Sequence, residues 1–129
     1  METLLPASHS KPTVLLVESD RELQTLIRLA LRRSYDVVVA SGPSEACKRL
    51  ESDSGRIGVV LMDADAAEGV AALAGALRAS AAGRELPLIA TGCLSRPDEV
   101  RVIASGCDSY LSKPFYPREL LSLLEQYVP

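Results

Sequence analysis

An aspartate and a lysine at the ends of two apolar runs are the residues of this chain best suited to chemistry. Asp63 follows the run Val59–Met62, and Lys113 stands directly before Pro114 and Phe115. A carboxylate and an ammonium that leave two buried strands can meet only if the strands are parallel and end at the same edge of a sheet. In open α/β sheets, ligands bind at that edge. The pair therefore predicts a ligand site at the carboxyl edge of a parallel sheet.

The hydrophobic pattern alternates between short apolar runs and amphipathic segments five times. The runs predict strands β1 (Val14–Val17), β2 (Tyr35–Ala40), β3 (Ile57–Met62), β4 (Leu86–Ala90) and β5 (Tyr110–Leu111). The segments predict helices α1 (Asp20 to about Arg33), α2 (Pro43 to about Glu51), α3 (about Gly69 to Ala81), α4 (Ser95–Ser105) and α5 (from Pro117). Short connections and right-handed crossovers then place helices on both faces of the sheet. The predicted fold is α/β, a doubly wound (βα)5 three-layer sandwich with a five-stranded parallel sheet.

Leucine-rich stripes predict which face of each helix is buried. In α1 the predicted stripe is Leu23, Leu26, Ile27, Ala30 and Leu31; in α3 it is Val70, Leu73 and Leu77; in α5 it is Leu120, Leu121, Leu123 and Leu124. Ser19 and Asp20 are both available to cap α1, and Ser95 with Asp98 is a partial capping signal for α4.

Length and composition bound the class of protein. The chain has 129 residues, of which 47% are hydrophobic, which suits one folded domain. We expect residues 1–12 to form a flexible tail and residues 13–129 to form the domain. A net charge of −3 without a basic run argues against direct nucleic-acid binding. No segment has the length of a membrane helix and the first residues lack a secretion signal, so we expect no membrane partner and a cytoplasmic location.

The cysteines and the single histidine point away from several kinds of site. Cys47, Cys93 and Cys107 are odd in number and lack Cys-x-x-Cys spacing, which favours buried or half-buried free thiols over disulfides or zinc. His9 is the only histidine and lies in the predicted tail. A histidine-dependent catalytic mechanism is therefore not expected.

Polar residues end several of the predicted strands and should converge at one edge. Glu18, Ser19 and Asp20 follow β1, Asp63 follows β3, and Thr91 and Lys113 follow β4 and β5; these six residues form the predicted polar edge. Clustered carboxylates beside a cation suit Mg²⁺, which takes oxygen ligands and is often completed by phosphate oxygens. A carboxylate can attack a phosphoryl donor if nearby cations neutralise the developing charge. Asp63 is therefore a candidate phospho-acceptor.

These motifs resemble the receiver domains of bacterial two-component response regulators, in particular the single-domain chemotaxis regulators. The matching pieces are the acidic turn after Val17, the segment Val59–Asp63, the hydroxyl of Thr91 and the segment Gly106–Phe115. The resemblance covers residues 13–128, and the last segment is the most specific part of it. It implies the flavodoxin-like version of the predicted fold.

The resemblance also implies a role for each site residue. Asp63 would accept the phosphoryl group, Lys113 would pair with it, Thr91 would hydrogen-bond it, and Tyr110 would be an aromatic switch. The peptide bond before Pro114 would be cis. Mg²⁺ would be the cofactor.

The implied metal ligands differ from the family pattern. They are Glu18, Asp63, the backbone carbonyl of Asp65 and, weakly, Ser19, which stands where receivers usually carry a second acid. The loop after Asp63 lacks the family's proline and is shorter. Because β4 is one residue shorter than usual, Gly92 is an alternative to Thr91 for the hydroxyl position.

Three functions follow from these residues. In the first, a histidine kinase or phosphotransfer protein phosphorylates Asp63, and the α4-β5-α5 face signals to a downstream protein or a fused output domain. In the second, the chain is a degenerate receiver that acts as a phosphorylation-independent interaction module. The third, a haloacid-dehalogenase-like phosphohydrolase suggested by Asp63-Ala64-Asp65, lacks the other features of that class. We therefore expect a signalling domain and not an enzyme; the sequence does not indicate an oligomeric state.

Overall fold

The architecture is a five-stranded parallel sheet with helices on both faces. We describe it from a computed structural model, which describes residues 11–53, 55–64, 67–81 and 83–128. The strand order is β2-β1-β3-β4-β5, and all four strand pairs are parallel. The predicted flavodoxin-like (βα)5 sandwich is therefore confirmed. Most of the predicted tail over residues 1–12 lies outside the described residues.

The element bounds follow the predicted order, with small shifts. The strands are β1 (Thr13–Val17), β2 (Asp36–Ala40), β3 (Ile57–Asp63), β4 (Leu88–Gly92) and β5 (Ser109–Ser112). The helices are α1 (Arg21–Leu31), α2 (Pro43–Ser52), α3 (Ala67–Ala79), α4 (Arg96–Ala104) and α5 (Pro117–Tyr127). The side chains of residues 67–69 are outside the described part.

The position of β4 differs from the sequence prediction by two residues, and the difference matters for the site. Pro87 has no N–H to donate to a ladder, so it precedes the strand and only its carbonyl is used, by Val60 N–H at 2.9 Å. At the other end, Thr91 and Gly92 still pair with β5. The strand therefore contains Thr91 instead of ending before it.

Two apolar clusters fill the two faces of the sheet. Alternate strand residues belong to different clusters, as expected for a period of two. One cluster, which we call the α2-α3 cluster, contains Leu15, Val17, Val60, Met62, Leu88 and Ala90 with the inner sides of α2 and α3. The other, which we call the α1-α5 cluster, contains Val14, Leu16, Val59, Leu61 and Ile89 with the inner sides of α1 and α5. The predicted α3 residues Val70, Leu73 and Leu77 are all buried.

The predicted buried stripe of α1 is wrong at one position. Ile27 and Leu31 are buried, but the Leu26 side chain is 62% exposed and Leu29 is 55% exposed. A helix contacts a flat sheet along a narrow arc, and here Ile27 and Leu31 occupy that arc. Helical spacing alone does not distinguish the centre of an apolar stripe from its margin.

Caps fix where the site-bearing loops begin. Asp20 caps α1, because its carboxylate accepts hydrogen bonds from the N–H groups of Glu22 at 2.9 Å and Leu23 at 3.3 Å. At α5, where Tyr116 stands in the capping position, the Glu119 carboxylate accepts the Tyr116 N–H at 2.8 Å. Within the described residues, no helix is long and apolar enough to cross a membrane.

A glycine ends the α4 segment for a steric reason. Gly106 has a φ of +121°, a conformation that other residues rarely adopt. The turn that it makes feeds β5 and, through it, Lys113.

Candidate functional site

Strand periodicity brings four polar side chains to one face of the carboxyl edge. In each strand the side chains that face the α1-α5 cluster are two residues apart. The next such position toward the carboxyl end of the strand is occupied by a polar residue, and these residues are Glu18, Asp63, Thr91 and Lys113. The ladder continues past the strand ends, because Glu18 N–H donates to Ala40 at 3.0 Å and Lys113 N–H donates to Gly92 at 2.8 Å. The backbone therefore fixes the directions of all four side chains.

Lys113 lies between two carboxylates. Its ammonium is 3.1 Å from Asp63 Oδ1 and 3.7 Å from Glu18 Oε1. The Lys113 and Asp63 side chains are 17% and 21% exposed, whereas that of Glu18 is 3% exposed. The pair predicted from the apolar runs is therefore in direct contact, and a third charge closes the site from the buried side.

Glu18 carries the buried carboxyl of this site. Burial raises the pKa of its carboxyl, and the nearby Asp63 carboxylate adds to the increase. The Asp20 N–H, 3.1 Å from Glu18 Oε2, and the Lys113 ammonium act in the opposite direction. The extra methylene of glutamate lets the carboxylate reach from β1 to Lys113.

The remaining predicted metal residues are distributed differently. Ser19 is exposed, Asp20 is used as the α1 cap, and Asp65 lies outside the described residues. Within the described ranges, no three Asp, Glu, His or Cys side chains are close enough to hold a metal ion. The Glu18 and Asp63 carboxylates are nevertheless oxygen donors at one edge, and Mg²⁺ is often bound by one or two carboxylates with water and phosphate oxygens. This donor set fits a weak magnesium site.

Thr91 lies beside Asp63 on the next strand. It is the register partner of Asp63, whereas Gly92 pairs with Ser112 one position further on. The Thr91 carbonyl accepts the Ala64 N–H at 2.6 Å, and the residue is only 2% exposed. Of the two alternatives, Thr91 carries the hydroxyl at the level of Asp63.

Tyr110 contacts the loop that follows β4. Its hydroxyl accepts a hydrogen bond from Leu94 N–H at 2.9 Å, and its half-buried ring packs on the α2-α3 cluster. Three residues on, the Lys113-Pro114 peptide bond is cis. The aromatic ring and the lysine thus leave the same short strand in different directions.

The three cysteines occupy different environments. Cys107 is buried and Cys47 is half-buried, but Cys93 is exposed, contrary to the expectation of buried or half-buried thiols. Cys93 follows β4 directly, where the chain leaves the sheet, and its thiol is 3.7 Å from the Lys113 carbonyl oxygen. Burial raises the pKa of the Cys107 thiol to about 11, assisted by the Asp108 charge.

One residue that holds the acidic turn in place, Gln24, was not predicted from the sequence. The side-chain amide of Gln24 donates to the Glu18 carbonyl at 2.6 Å and so ties α1 to the acidic turn. A half-buried glutamine one turn into an amphipathic helix carries no sequence signal that distinguishes it from a surface residue.

A protein of known sequence is similar to this chain over most of its length. No protein-family model matches the sequence. An uncharacterized 14.6 kDa protein encoded in the sodA1 3′ region of Leptolyngbya boryana is 32% identical over 119 residues, which is 88% of each chain.

Solved structures share the whole fold. The receiver domain of a Pseudomonas aeruginosa sensor histidine kinase, described with a magnesium ion in its active-site cleft, is 26% identical with a TM-score of 0.78, covering 92% of this chain and 98% of that one. Chemotaxis protein CheY4 of Vibrio cholerae is 22% identical with a TM-score of 0.78, covering 92% and 99%. A response regulator receiver domain of Bermanella marisrubri is 20% identical with a TM-score of 0.80, covering 93% and 100%.

The sheet order, the lysine between two carboxylates and these similarities agree with one another. The chain is a response regulator receiver domain, and it belongs to one family with the 14.6 kDa protein of Leptolyngbya boryana.

Proposed function

We propose that this receiver domain works in two-component signalling by accepting a phosphoryl group on Asp63 from a histidine kinase or phosphotransfer protein. The observation that carries the proposal is the contact of the Lys113 ammonium with Asp63 at 3.1 Å, with the buried Glu18 carboxylate 3.7 Å from the same ammonium. A cation held against a partly exposed carboxylate is what phosphoryl transfer to that carboxylate needs. The role is that of a signalling domain.

The reaction follows from the atoms at the edge. An oxygen of the Asp63 carboxylate attacks the phosphorus of the donor, a P–O bond forms, and the bond from phosphorus to the donor breaks. The donor's leaving atom keeps the bonding electron pair. Lys113 stabilises the negative charge on the phosphoryl oxygens, and Thr91, on the neighbouring strand, donates its hydroxyl to one of them.

Mg²⁺ would be held by Glu18 and Asp63, with the Asp65 carbonyl as a further ligand and at most a weak contribution from Ser19. When bound, the ion supplies positive charge to the transferring phosphoryl group. Glu18 is too deeply buried to move freely, so it holds its carboxylate in a fixed position for the cation.

The signal would leave through the face formed by α4, β5 and α5. Tyr110 connects this face to the site, because its hydroxyl contacts Leu94 in the loop that follows Thr91. Val100 and Ile103 of α4 are 61% and 40% exposed, and Tyr116 is 74% exposed. A shift of population between two arrangements of this face would change its affinity for a downstream protein or an output domain.

The proposal is tested by incubating the protein with acetyl phosphate and Mg²⁺ and measuring its intact mass. We expect an adduct of one phosphoryl group that is absent in Asp63→Asn. The adduct should be stable in acid and labile in base, as an acyl phosphate is. An equal adduct on Asp63→Asn would show that another residue is modified.

A second candidate function is a phosphorylation-independent interaction module. It is favoured by exposed Ser19, which leaves the acidic turn with one inward carboxylate, and by the lack of a three-acid cluster in the described part of the chain. Absence of any adduct at high Mg²⁺, with a native circular dichroism spectrum, would select this function. Recovery of the adduct in Ser19→Asp would then identify the missing charge as the cause.

A further inference from the structure

Strand β2 lies at one side of the sheet, and half of its backbone groups face away from the other strands. Within the described sheet its only neighbour is β1. Asp36 N–H donates to the Pro12 carbonyl at 3.0 Å, so Asp36 and every second residue after it bond to β1. The N–H and C=O groups of Val37 and Val39 therefore point outward. We call this outer side of the strand the β2 edge.

The β2 edge lacks the features that usually prevent edge strands from pairing with other chains. Its register with β1 is regular over five residue pairs, and the run Asp36–Ala40 contains neither lysine nor proline. Its three central valines are only half-buried. The strand at the opposite side of the sheet, β5, is four residues long, has serine at both ends and leads directly into Lys113 and Pro114. The β2 edge is therefore the better template for an added strand.

The side of α1 that faces α5 is apolar. Leu23, Leu26 and Ala30 lie along a groove of about 550 Å³ between α1 and the start of α5. The other wall of the groove includes Phe115 and Pro117. Because α1 contacts both α5 and β2, the flank of the helix opposite this groove lies on the β2 side.

Arg21, Arg28 and Arg32 occupy that opposite flank. They are seven and four residues apart, so they lie nearly in line along the helix and span about 16 Å. All three are exposed, and none of them forms an ion pair within the described part of the chain. The five residues of β2 also span about 16 Å. Because the helix runs back along the sheet, the basic stripe lies beside the whole β2 edge.

The remaining charges around the β2 edge leave it basic. Glu51 lies on the α3 side of α2, so Glu45 and Arg49 lie on the β2 side of that helix. The three arginines of α1 together with Arg49 thus stand against Asp36 and Glu45, although the whole chain has a net charge of −3. An extended segment with carboxylates is complementary to this edge, whereas a second copy of the chain would bring arginines against arginines.

We propose that the β2 edge binds an extended, acidic segment of a partner protein as a sixth strand of the sheet. The backbone of the segment bonds to the outward N–H and C=O groups of Val37 and Val39, and carboxylates at alternate positions lie beside the α1 arginines. Main-chain hydrogen bonds supply affinity, and charge supplies selectivity. The contact uses neither Asp63 nor Lys113, so it is independent of the phosphorylation proposed above.

The test is the exchange of backbone amide protons with water, measured by NMR at Val37 and Val39. These two N–H groups point outward and should exchange rapidly in the free protein. The N–H groups of Val38 and Ala40 bond to β1 and serve as internal controls. The probe is a synthetic seven-residue peptide with glutamate at alternate positions and valine or threonine between them, added without any phosphoryl donor.

Three matched controls separate backbone pairing from charge. One peptide carries lysine at every glutamate position. A second keeps the glutamates but has a methyl group on every backbone nitrogen, which removes its hydrogen-bond donors and leaves its charge unchanged. In the protein, Arg28→Glu with Arg32→Glu reverses the charge beside the β2 edge. Both positions are exposed, so this variant should fold, as circular dichroism will check.

We expect the glutamate peptide, at about four times its dissociation constant, to slow exchange at Val37 and Val39 about fivefold and to leave the two control amides unchanged. The lysine peptide should protect only the charge-reversed variant, and the methylated peptide should protect neither protein.

Several outcomes would overturn the proposal. They are equal protection by the methylated peptide, equal protection of the unmodified protein by the lysine peptide, and no protection by any peptide at its highest soluble concentration. Slowing that grows with protein concentration in the absence of peptide would also overturn it, by assigning the β2 edge to a second copy of the chain. None of these outcomes depends on the labelling of Asp63 by acetyl phosphate.

Discussion

Each edge of the sheet has a cationic side chain in contact with a carboxylate, but the two cations have different surroundings. At the carboxyl edge, Lys113 contacts the carboxylates of Asp63 and Glu18. At the amino edge, Arg78 contacts the Asp108 carboxylate at 3.0 Å and also donates to the carbonyls of Leu86 and Gly106, both at 2.7 Å. Arg78 is held by one carboxylate and several neutral carbonyls, whereas Lys113 lies between two carboxylates. The Arg78 contacts hold loops together, whereas in the function proposed above Lys113 would stabilise the phosphoryl oxygens.

The amino edge is satisfied from several directions. Asp108 also accepts the Leu88 N–H at 2.8 Å, and Tyr35 donates its hydroxyl to the Val128 carbonyl at 3.1 Å. These bonds join the start of β4 to the turn before β5, and the start of β2 to the end of α5. A network in which every donor and acceptor has a partner within the protein stabilises the fold whatever ligand is present.

The largest effect that separates the two edges is expected from a substitution of Lys113. Lys113→Met should lower the rate of Asp63 labelling by acetyl phosphate by about 10²- to 10³-fold, the cost of removing one preorganised charge from a transferring group. The rate is measured by intact mass against time. Lys113→Arg keeps the charge and should lose less, and an unchanged rate in Lys113→Met would remove the lysine from the proposed mechanism.

The titration of Cys107 should show how far the core excludes charge near the amino edge. Its pKa is raised from 9.0 to about 11, so between these pH values the unfolded chain loses a proton that the folded chain keeps. The thiol's contribution to stability is therefore present below pH 9 and is lost as the pH rises through 11, by up to roughly 3 kcal/mol.

The measurement for Cys107 is the free energy of unfolding in urea at several pH values. The difference between wild type and Cys107→Ala should decline from pH 9 to pH 11. Cys107→Val, which also lacks a thiol, should differ from Cys107→Ala by a constant amount. A wild-type profile parallel to both variants would contradict the prediction.

The counterpart of the lysine experiment is Arg78→Met. Removing the guanidinium leaves several loop carbonyls without their donor. Since water can reach these loops and replace part of the lost hydrogen bonding, we expect the free energy of unfolding to fall by only about 2 kcal/mol. The labelling rate of the folded fraction should stay unchanged. A large fall in that rate would mean that the two edges are coupled and not separate.

A second carboxylate can be introduced into the acidic turn to test its effect on Mg²⁺ affinity. Ser19→Asp should tighten Mg²⁺ binding about tenfold, because it adds a carboxylate to the two that are present. Calorimetric titration measures the affinity, and Ser19→Asn is the neutral control of the same shape. Equal affinities for the two variants would show that residue 19 faces away from the ion.

The smallest effect is expected at Leu26. Leu26→Ala should change the free energy of unfolding by less than about 0.5 kcal/mol, since its side chain is mostly exposed, whereas Ile27→Ala should cost about 3 kcal/mol. Urea unfolding of the two variants compares adjacent residues of one helix. A loss above 2 kcal/mol for Leu26→Ala would show that the Leu26 side chain is packed in the core.

Much of the fold was predictable because parallel strands and amphipathic helices leave separate periodic signals. The runs around Val59 and Val14, and the stripe Val70, Leu73 and Leu77, were assigned correctly. The limits of β4 were not, since Pro87 is apolar and extends the run without being able to pair. The exposure of Leu26 was missed because spacing does not show how wide the contact with the sheet is.

The sequence by itself determined the order of the elements and the placing of Asp63 and Lys113 at one edge, and it left the cap of α1 to either Ser19 or Asp20. The element order follows from residues close together in the chain, and the shared edge follows from the fixed geometry of parallel strands. Only the tertiary structure decided that Glu18 reaches Lys113, that Thr91 and not Gly92 stands level with Asp63, and that Leu26 faces a groove. These depend on register and on distances between elements far apart in sequence, which local patterns do not encode.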